Sequence, residues 1–309
     1  MKLYKDKEQF NDAIIETSRA LKINEALIEK DYFVIYLLSE LNKAIPGLLF
    51  KGGTCCSHAY HAIDRFSEDI DLSLDTNHFG RNSNIDANHK VIEVCDKLGF
   101  KINNREELKK HSHGNYNCYY IEYDAIYSSP MVKPYIQIEI TFYQKSYPHE
   151  VKQVNSLIGE WLLERGNKDA AELYEITPFD VCVQKLERTF IDKVFAICDY
   201  YERKEIVRNS RHIYDLYKIS QLIDLKDKAL RELIKEVRND RKNNTRCVSS
   251  FDGYDINQTL NQIVASDVYK SDYKEVTSKL LTRDLEYDVA ITILKTIVDL
   301  NLFSEKEQK

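Results

Sequence analysis

The chain has 309 residues, enough to bury a sizeable core in one large domain or two lobes. Its formal net charge of −6 excludes whole-molecule attraction to nucleic acid, so any contact with a polyanion needs a local basic patch. Seven irregularly spaced cysteines without a CxxC or Cys/His ligand pattern argue against a zinc site. They suit a reduced, cytoplasmic protein, and the charged start MKLYKDKEQF predicts no signal peptide.

Residues 8–21 and 25–44 are expected to be helices, the second from the spacing of Ile28, Tyr32, Ile35 and Leu38, with Asn24 as its N-cap. Pro46-Gly47 ends that region. Leu48-Leu49-Phe50 predicts a short buried strand running into Gly52-Gly53, followed by a short helix over 54–62. Asp69 to Leu74 alternates, with Ile70, Leu72 and Leu74 on one face and Asp69, Asp71 and Ser73 on the other. Asn82 to Asn88 is expected as a polar loop, and 89–98 and 105–110 as helices. Tyr116 to Tyr127 has strand composition and is broken by Ser128-Ser129-Pro130. Tyr135 to Phe142 alternates again, with Gln137, Glu139 and Thr141 on the polar face. Beyond about residue 150 the pattern is read as helical throughout: 151–164, 185–203, 210–223, 226–240, 257–265, 272–281 and 286–302. The expected class is α+β, with a mixed lobe over residues 1–165 and a helical lobe over 166–309.

The chemistry concentrates in LFKGGTCCSHAYHAIDRFSEDIDLSL, residues 49–74. Two glycines where a strand passes into a helix let the backbone approach a ligand, and a helix N-terminus favours anions. Thr54 adds a hydroxyl, and the Gly-Lys-Ser/Thr ending of a Walker A loop is missing. Asp69 and Asp71 on one strand face repel each other unless a cation lies between them, and Mg²⁺ is the usual solution. A bare Asp-x-Asp is more often a solvated strand face. The glycine turn beside it shifts the odds towards function. Glu139 is either an exposed edge carboxylate or a third ligand, and the pattern leaves both open. Lys193 falls within the apolar stripe of its helix with Leu186, Phe190, Val194 and Ile197, where a lysine either snorkels or meets anions in a cleft. Asp215 lies in a mostly apolar helical segment, with a salt bridge to Arg211 or Lys218 as the plain alternative.

KGGT followed by RFSEDIDL resembles the first motif of the nucleotidyltransferase AbiEii/AbiGii toxin family, within the polymerase-beta-like nucleotidyltransferase superfamily. IEKDYFVIYLL (28–38), LERTFIDKVFAI (186–197) and SRHIYDLYKI (210–219) are similar to three further motifs of that family, in the same order. The departures are small: Cys55-Cys56 stands where an aliphatic pair is commoner, and Ile191-Asp192 where Trp-Glu is usual. The resemblance implies a mixed sheet with flanking helices and an NMP transfer from an NTP to an acceptor. Asp69, Asp71 and Glu139 would bind Mg²⁺ or Mn²⁺, and Lys51, Gly52, Gly53, Thr54 and Arg65 would hold the triphosphate. Lys193 would contact phosphate, and Asp215 would be a further catalytic or structural carboxylate. It also implies the toxin of a toxin–antitoxin, abortive-infection type pair, with tRNA or another RNA as acceptor and an antitoxin protein as partner. A protein acceptor or a non-catalytic binding module are the alternatives.

Arg231, Lys235, Arg238 and Lys242 form a basic stripe at helical spacing, extended by Arg241 and Arg246, and Arg203, Lys204, Arg208 and Arg211 lie near the later motifs. Glu232, Glu236 and Asp240 are mixed in, so an ion-paired helix face competes with an RNA-binding patch. Ser67, two residues before Asp69, invites a regulatory phosphate, although a turn serine is the commoner reading.

Overall fold

Three consecutive charged residues, Glu29, Lys30 and Asp31, interrupt an otherwise apolar and aromatic helix, and all three are buried. In the computed structural model, which describes residues 1–74, 83–110, 116–130, 132–142 and 148–304, this helix is the centre of the first of two compact units. That unit comprises Met1–Tyr60 and Ser67–Val183, and the second comprises His61–Phe66 and Gln184–Lys309.

The first unit opens with α1 (Lys7–Leu21) and α2 (Glu25–Ala44). Asn24 caps α2 as expected, accepting from the Ala26 N–H at 3.1 Å. A helix apolar around most of its circumference must be covered on most sides. Accordingly α2 packs on α1, on the helices α4 (Ser83–Leu98) and α6 (Leu157–Glu164), and on the sheet strands β2 (Asp69–Leu74) and β5 (Ile136–Thr141). Ile70, Leu72, Ile136, Ile138 and Ile140 are fully buried with Tyr32, Phe33 and Leu37 in one cluster. Each such side chain contributes about 1.5–3 kcal/mol through burial.

The other strands are β1 (Leu48–Lys51), β3 (Lys101–Ile102), β4 (Tyr116–Glu122), β6 (His149–Val154) and β7 (Phe179–Gln184). The sheet order is β3-β4-β5-β2-β1-β7-β6, with β2/β5 and β1/β7 parallel and β1/β2, β3/β4 and β4/β5 antiparallel. The short helix α3 (Gly52–His58) follows β1 directly, and α5 (Arg105–Lys110) and α7 (Lys168–Leu173) complete the unit.

Three expectations change. The helix α4 begins at Ser83, where a polar loop was read over 82–88, and Asn82 lies outside the described residues. Residues 149–154 are a strand, where the stretch 151–164 was read as helical throughout. Phe179, Val181 and Val183 alternate into β7, and Phe50 pairs with Val183, so residues 166–183 belong with the sheet.

The second unit is helical, with α8 (Leu186–Glu202), α9 (Arg211–Ser220), α10 (Lys228–Arg241) and α11 (Ile256–Ser266), then short helices at Tyr287–Ala290 and Thr292–Asp299. Phe190, Val194, Ile197, Ile213, Leu216, Leu260, Leu294 and Ile297 are buried in it. The segment 61–66 adds a short bridge to this unit, Arg65 pairing antiparallel with Leu281.

Candidate active site

The strand register assembles a row of polar side chains across one face of the first unit's sheet. Asp71 of β2 stands opposite Glu139 of β5 on one side and Lys51 of β1 on the other, and Glu139 stands opposite Cys118 of β4. Cross-strand partners point to the same face. Cys118, Glu139, Asp71 and Lys51 therefore form a single transverse row, with Asp69 and its partner Gln137 one step along the strands. The alternation that buries Ile70 and Leu72 is what turns the carboxylates outward.

Gly52 closes this row from the β1–α3 turn. Its φ is +77°, a region other residues enter at a cost, and a Cβ there would lie 1.8 Å from Asp71 Oδ2. Thr54 is fully buried. Its hydroxyl donates to the Asp69 carbonyl oxygen at 2.6 Å and lies 3.1 Å from Ser67 Oγ. The Thr54 hydroxyl thus fixes the start of β2. Lys51 Nζ donates to Thr141 Oγ1 at 2.6 Å.

The carboxylates have partners that the sequence did not reveal. Lys133 Nζ donates to Asp69 Oδ1 at 3.0 Å and to Gln137 Oε1 at 3.1 Å, while Gln137 Nε2 donates to Glu139 Oε1. With the side chains engaged in this way, no three His, Cys, Asp or Glu groups converge as a ready metal cage among the described residues. Lys133 lies just ahead of β5, the strand that carries Gln137 and Glu139.

Behind this face the run Glu29-Lys30-Asp31 is fully engaged. Glu29 accepts from the N–H groups of Ile126 and Tyr127, and Asp31 from the Leu157 N–H and from His58 Nε2. Lys30 Nζ donates to the Lys133 carbonyl at 2.9 Å and to the Tyr135 carbonyl, and lies 3.8 Å from Glu68 Oε2. Burial pulls its pKa down to about 8, against the opposing pull of Glu68 and Asp69.

Arg65, Lys193 and Asp215 meet in the second unit. Arg65 donates through Nε and Nη2 to the two Asp215 oxygens at 2.6 and 2.7 Å, and Lys193 Nζ donates to Asp215 Oδ2 at 2.6 Å. Burial alone would raise the Asp215 pKa, but the two cations outweigh it and hold the carboxyl well below the usual range. Arg65 was expected among the triphosphate ligands. Here its guanidinium makes a bidentate pair with Asp215, as a buried guanidinium needs a matching acceptor. Asp215 pairs with Arg65 and Lys193, rather than with the neighbours Arg211 or Lys218. Lys218 binds Asp64 at 2.7 Å, and the Asp64 N–H donates to Tyr214 Oη. Beside them in sequence, His212 has both ring nitrogens buried and unpartnered among the described residues. Burial, with Lys193 and Arg211 nearby, holds its pKa well below the ordinary value.

The basic stripe on α10 resolves the other way. Arg231 donates to the carbonyls of Leu300 and Asn301, Arg238 to that of Phe303, and Arg241 to Asp199. Lys235 pairs with Glu232 and Lys242 with Asp252. The stripe fastens α10 within its own unit, and Arg203 likewise donates to Glu205 and to the Arg246 carbonyl.

The glycine turn, the acidic strand pair and the carboxylate on the adjoining parallel strand thus lie together on one face of the sheet. The profile of the AbiEii family, described as nucleotidyl transferase AbiEii toxin, type IV TA system, matches residues 36–292, and the chain belongs to that family. It is a nucleotidyltransferase toxin of a toxin–antitoxin system, with an NTP as substrate and an antitoxin as partner. Among solved structures it is similar to MenT4, a nucleotidyltransferase toxin from Mycobacterium tuberculosis H37Rv. The identity is 15% and the TM-score 0.63, over 95% of this chain and 90% of that one, a likeness of fold. A nucleotidyltransferase candidate from H. pylori aligns at 14% identity and TM-score 0.44 over 89% of this chain and 95% of that one. No curated protein matches the chain. No helix of the described residues is long and apolar enough to cross a membrane.

Proposed function

We propose that the chain transfers a nucleoside monophosphate from an NTP to tRNA in the cytoplasm, using Mg²⁺ or Mn²⁺ held by Asp69, Asp71 and Glu139. The observation that carries this reading is the register of Asp71 against Glu139, with Asp69 on the same face and Gly52 closing the row. All three are hard oxygen donors, which suits these ions. A divalent ion bound there supplies positive charge to the phosphates and lowers the pKa of the attacking hydroxyl.

The chain's own residues do the rest. Gly52 and Gly53 bring backbone N–H groups close to phosphate, and Lys51 places an ammonium at the end of the acidic row. Contact of Lys193 with phosphate is implied by the family resemblance. Asp215 holds the Lys193 ammonium charged and oriented, and Arg65 holds Asp215, so these two are positioning residues.

tRNA is the acceptor implied by the family resemblance. Incubation with each labelled NTP, Mg²⁺ or Mn²⁺, and tRNA or total protein tests it. Label on tRNA, lost in Asp69→Ala and Asp71→Ala proteins of unchanged circular dichroism, is expected. Label on protein alone overturns the acceptor, and label retained in Asp69→Ala overturns the metal assignment.

A further inference from the structure

We propose that Lys133 is a tethered counter-cation for the Asp69 carboxylate, balancing it in the metal-free protein and yielding it when a divalent ion binds. The proposal rests on the metal assignment made above.

Two observations carry it. The first is the position of the ammonium. Lys133 Nζ lies 3.0 Å from Asp69 Oδ1 and 3.1 Å from Gln137 Oε1, so it occupies a carboxylate oxygen that a metal would need. Lys133 is itself only 22% exposed. Two aspartates on one strand face require compensating positive charge with or without a metal, and Lys133 supplies it to Asp69 from within the chain.

The second observation is how residue 133 is held. Its backbone N–H donates to Glu68 Oε2 at 3.1 Å, and its carbonyl accepts from Lys30 Nζ at 2.9 Å. Glu68 is the residue joined to Asp69, and Lys30 comes from the second turn of α2 and is itself fully buried. Lys30 also donates to the Tyr135 carbonyl and lies 5.2 Å from the centre of the Tyr123 ring. The backbone of Lys133 is therefore clamped on both sides while the side chain reaches Asp69 through four flexible methylenes. A fixed root and a flexible stem suit a cation that must let go and return.

The experiment is direct Mn²⁺ binding to the nucleotide-free protein, read as free Mn²⁺ by electron paramagnetic resonance. Removing a unit charge beside the ligand relieves the competition for Asp69. Lys133→Met should bind Mn²⁺ at least about fivefold more tightly than the wild type, the lower bound set by two unit charges about 4 Å apart in bulk water. Lys133→Arg keeps the charge and should bind as the wild type does. Equal or weaker binding by a folded Lys133→Met protein, judged by circular dichroism, overturns the proposal. Asp69→Ala and Asp71→Ala separate the two layers of the argument. If Mn²⁺ binding by the wild type does not depend on either aspartate, the metal assignment itself fails, and this proposal with it. If it does depend on them and Lys133→Met binds no more tightly, only the counter-cation fails.

Discussion

Gly52 and Asp71 are built against each other. The Asp71 carboxylate occupies the space in which any Gly52 side chain would begin, with Oδ2 1.8 Å, Cγ 2.6 Å and Cβ 2.8 Å from an ideal Cβ. Gly52→Ala must therefore displace Asp71 as well as strain a backbone at φ +77°. Gly253 is the natural control, because it has φ +80° and open space around it. Gly253→Ala should lose about 1 kcal/mol from backbone strain alone, with transfer intact. Gly52→Ala should lose a further 1–3 kcal/mol or so from overpacking, and transfer should fall at least about 100-fold. Urea unfolding and labelled-NTP transfer measure both. A Gly52→Ala protein as active as Gly253→Ala would remove Asp71 from the site.

The Arg65–Asp215–Lys193 cluster makes a prediction with a pH signature. Asp215→Asn leaves two cations facing a neutral amide in a buried place and should cost about 3–5 kcal/mol at pH 7. Because the Asp215 pKa is depressed by folding, its stabilisation is complete above the ordinary carboxylate pKa near 4 and fades as pH falls below that. The gap between wild type and Asp215→Asn should narrow from pH 7 to pH 3 in urea unfolding. A gap that widens in acid would contradict the assignment.

Glu160 behaves in the opposite sense. Burial raises its pKa to about 7, with His58 pulling the other way and Asp31 adding to the rise. A carboxyl raised by folding weakens the fold as pH climbs from its unfolded value through about 7, and above that the penalty is constant. Glu160→Gln should be roughly neutral at pH 4 and stabilising by on the order of 1–2 kcal/mol at pH 8. Equal effects at both pH values would show that Glu160 is not the group responsible.

On α10 the cations divide into fasteners and surface charges. Arg238 donates to the Phe303 carbonyl at 3.2 Å and stacks 5.7 Å from the Phe195 ring, whereas Lys235 pairs with Glu232 on an exposed face. Arg238→Ala should lose about 2 kcal/mol, and Lys235→Glu should stay within about 0.5 kcal/mol. Thermal unfolding separates the two, and equal midpoints would return Arg238 to the surface.

Period-two alternation made β2 and β5 legible, and it set Asp69, Asp71 and Glu139 on their face before any coordinates. Pairing cannot be read from alternation, so the opposition of Asp71 and Glu139 emerged only with the sheet. β7 carried the same signal at Phe179, Val181 and Val183 but lay between longer helical patterns. β6 was harder, because HEVKQV has few buried positions to mark it. Lys193 was legible as a misplaced charge on an apolar stripe. The pairing of Arg65 with Asp215 was not legible, because an arginine near a phosphate turn looks the same whether it meets phosphate or a distant aspartate. Lys30 offered the strongest unused signal. Three adjacent charges on a helix span about 200° of its circumference, so in a helix covered on most sides at least one has to be buried.

The grouping of His61–Phe66 with Gln184–Lys309 bears on how the protein can be cut. The polypeptide passes from one unit to the other at 60/61, 66/67 and 183/184, so neither unit is a single uninterrupted stretch. A fragment ending at Val183 would carry Arg65 without Asp215, and Phe66 without the Leu280 carbonyl that accepts its N–H. The complementary fragment would keep Asp215 and Lys193 but lack the guanidinium that grips both carboxylate oxygens. Halves divided at 183/184 are thus each missing a buried partner, and they are expected to recover activity only when mixed.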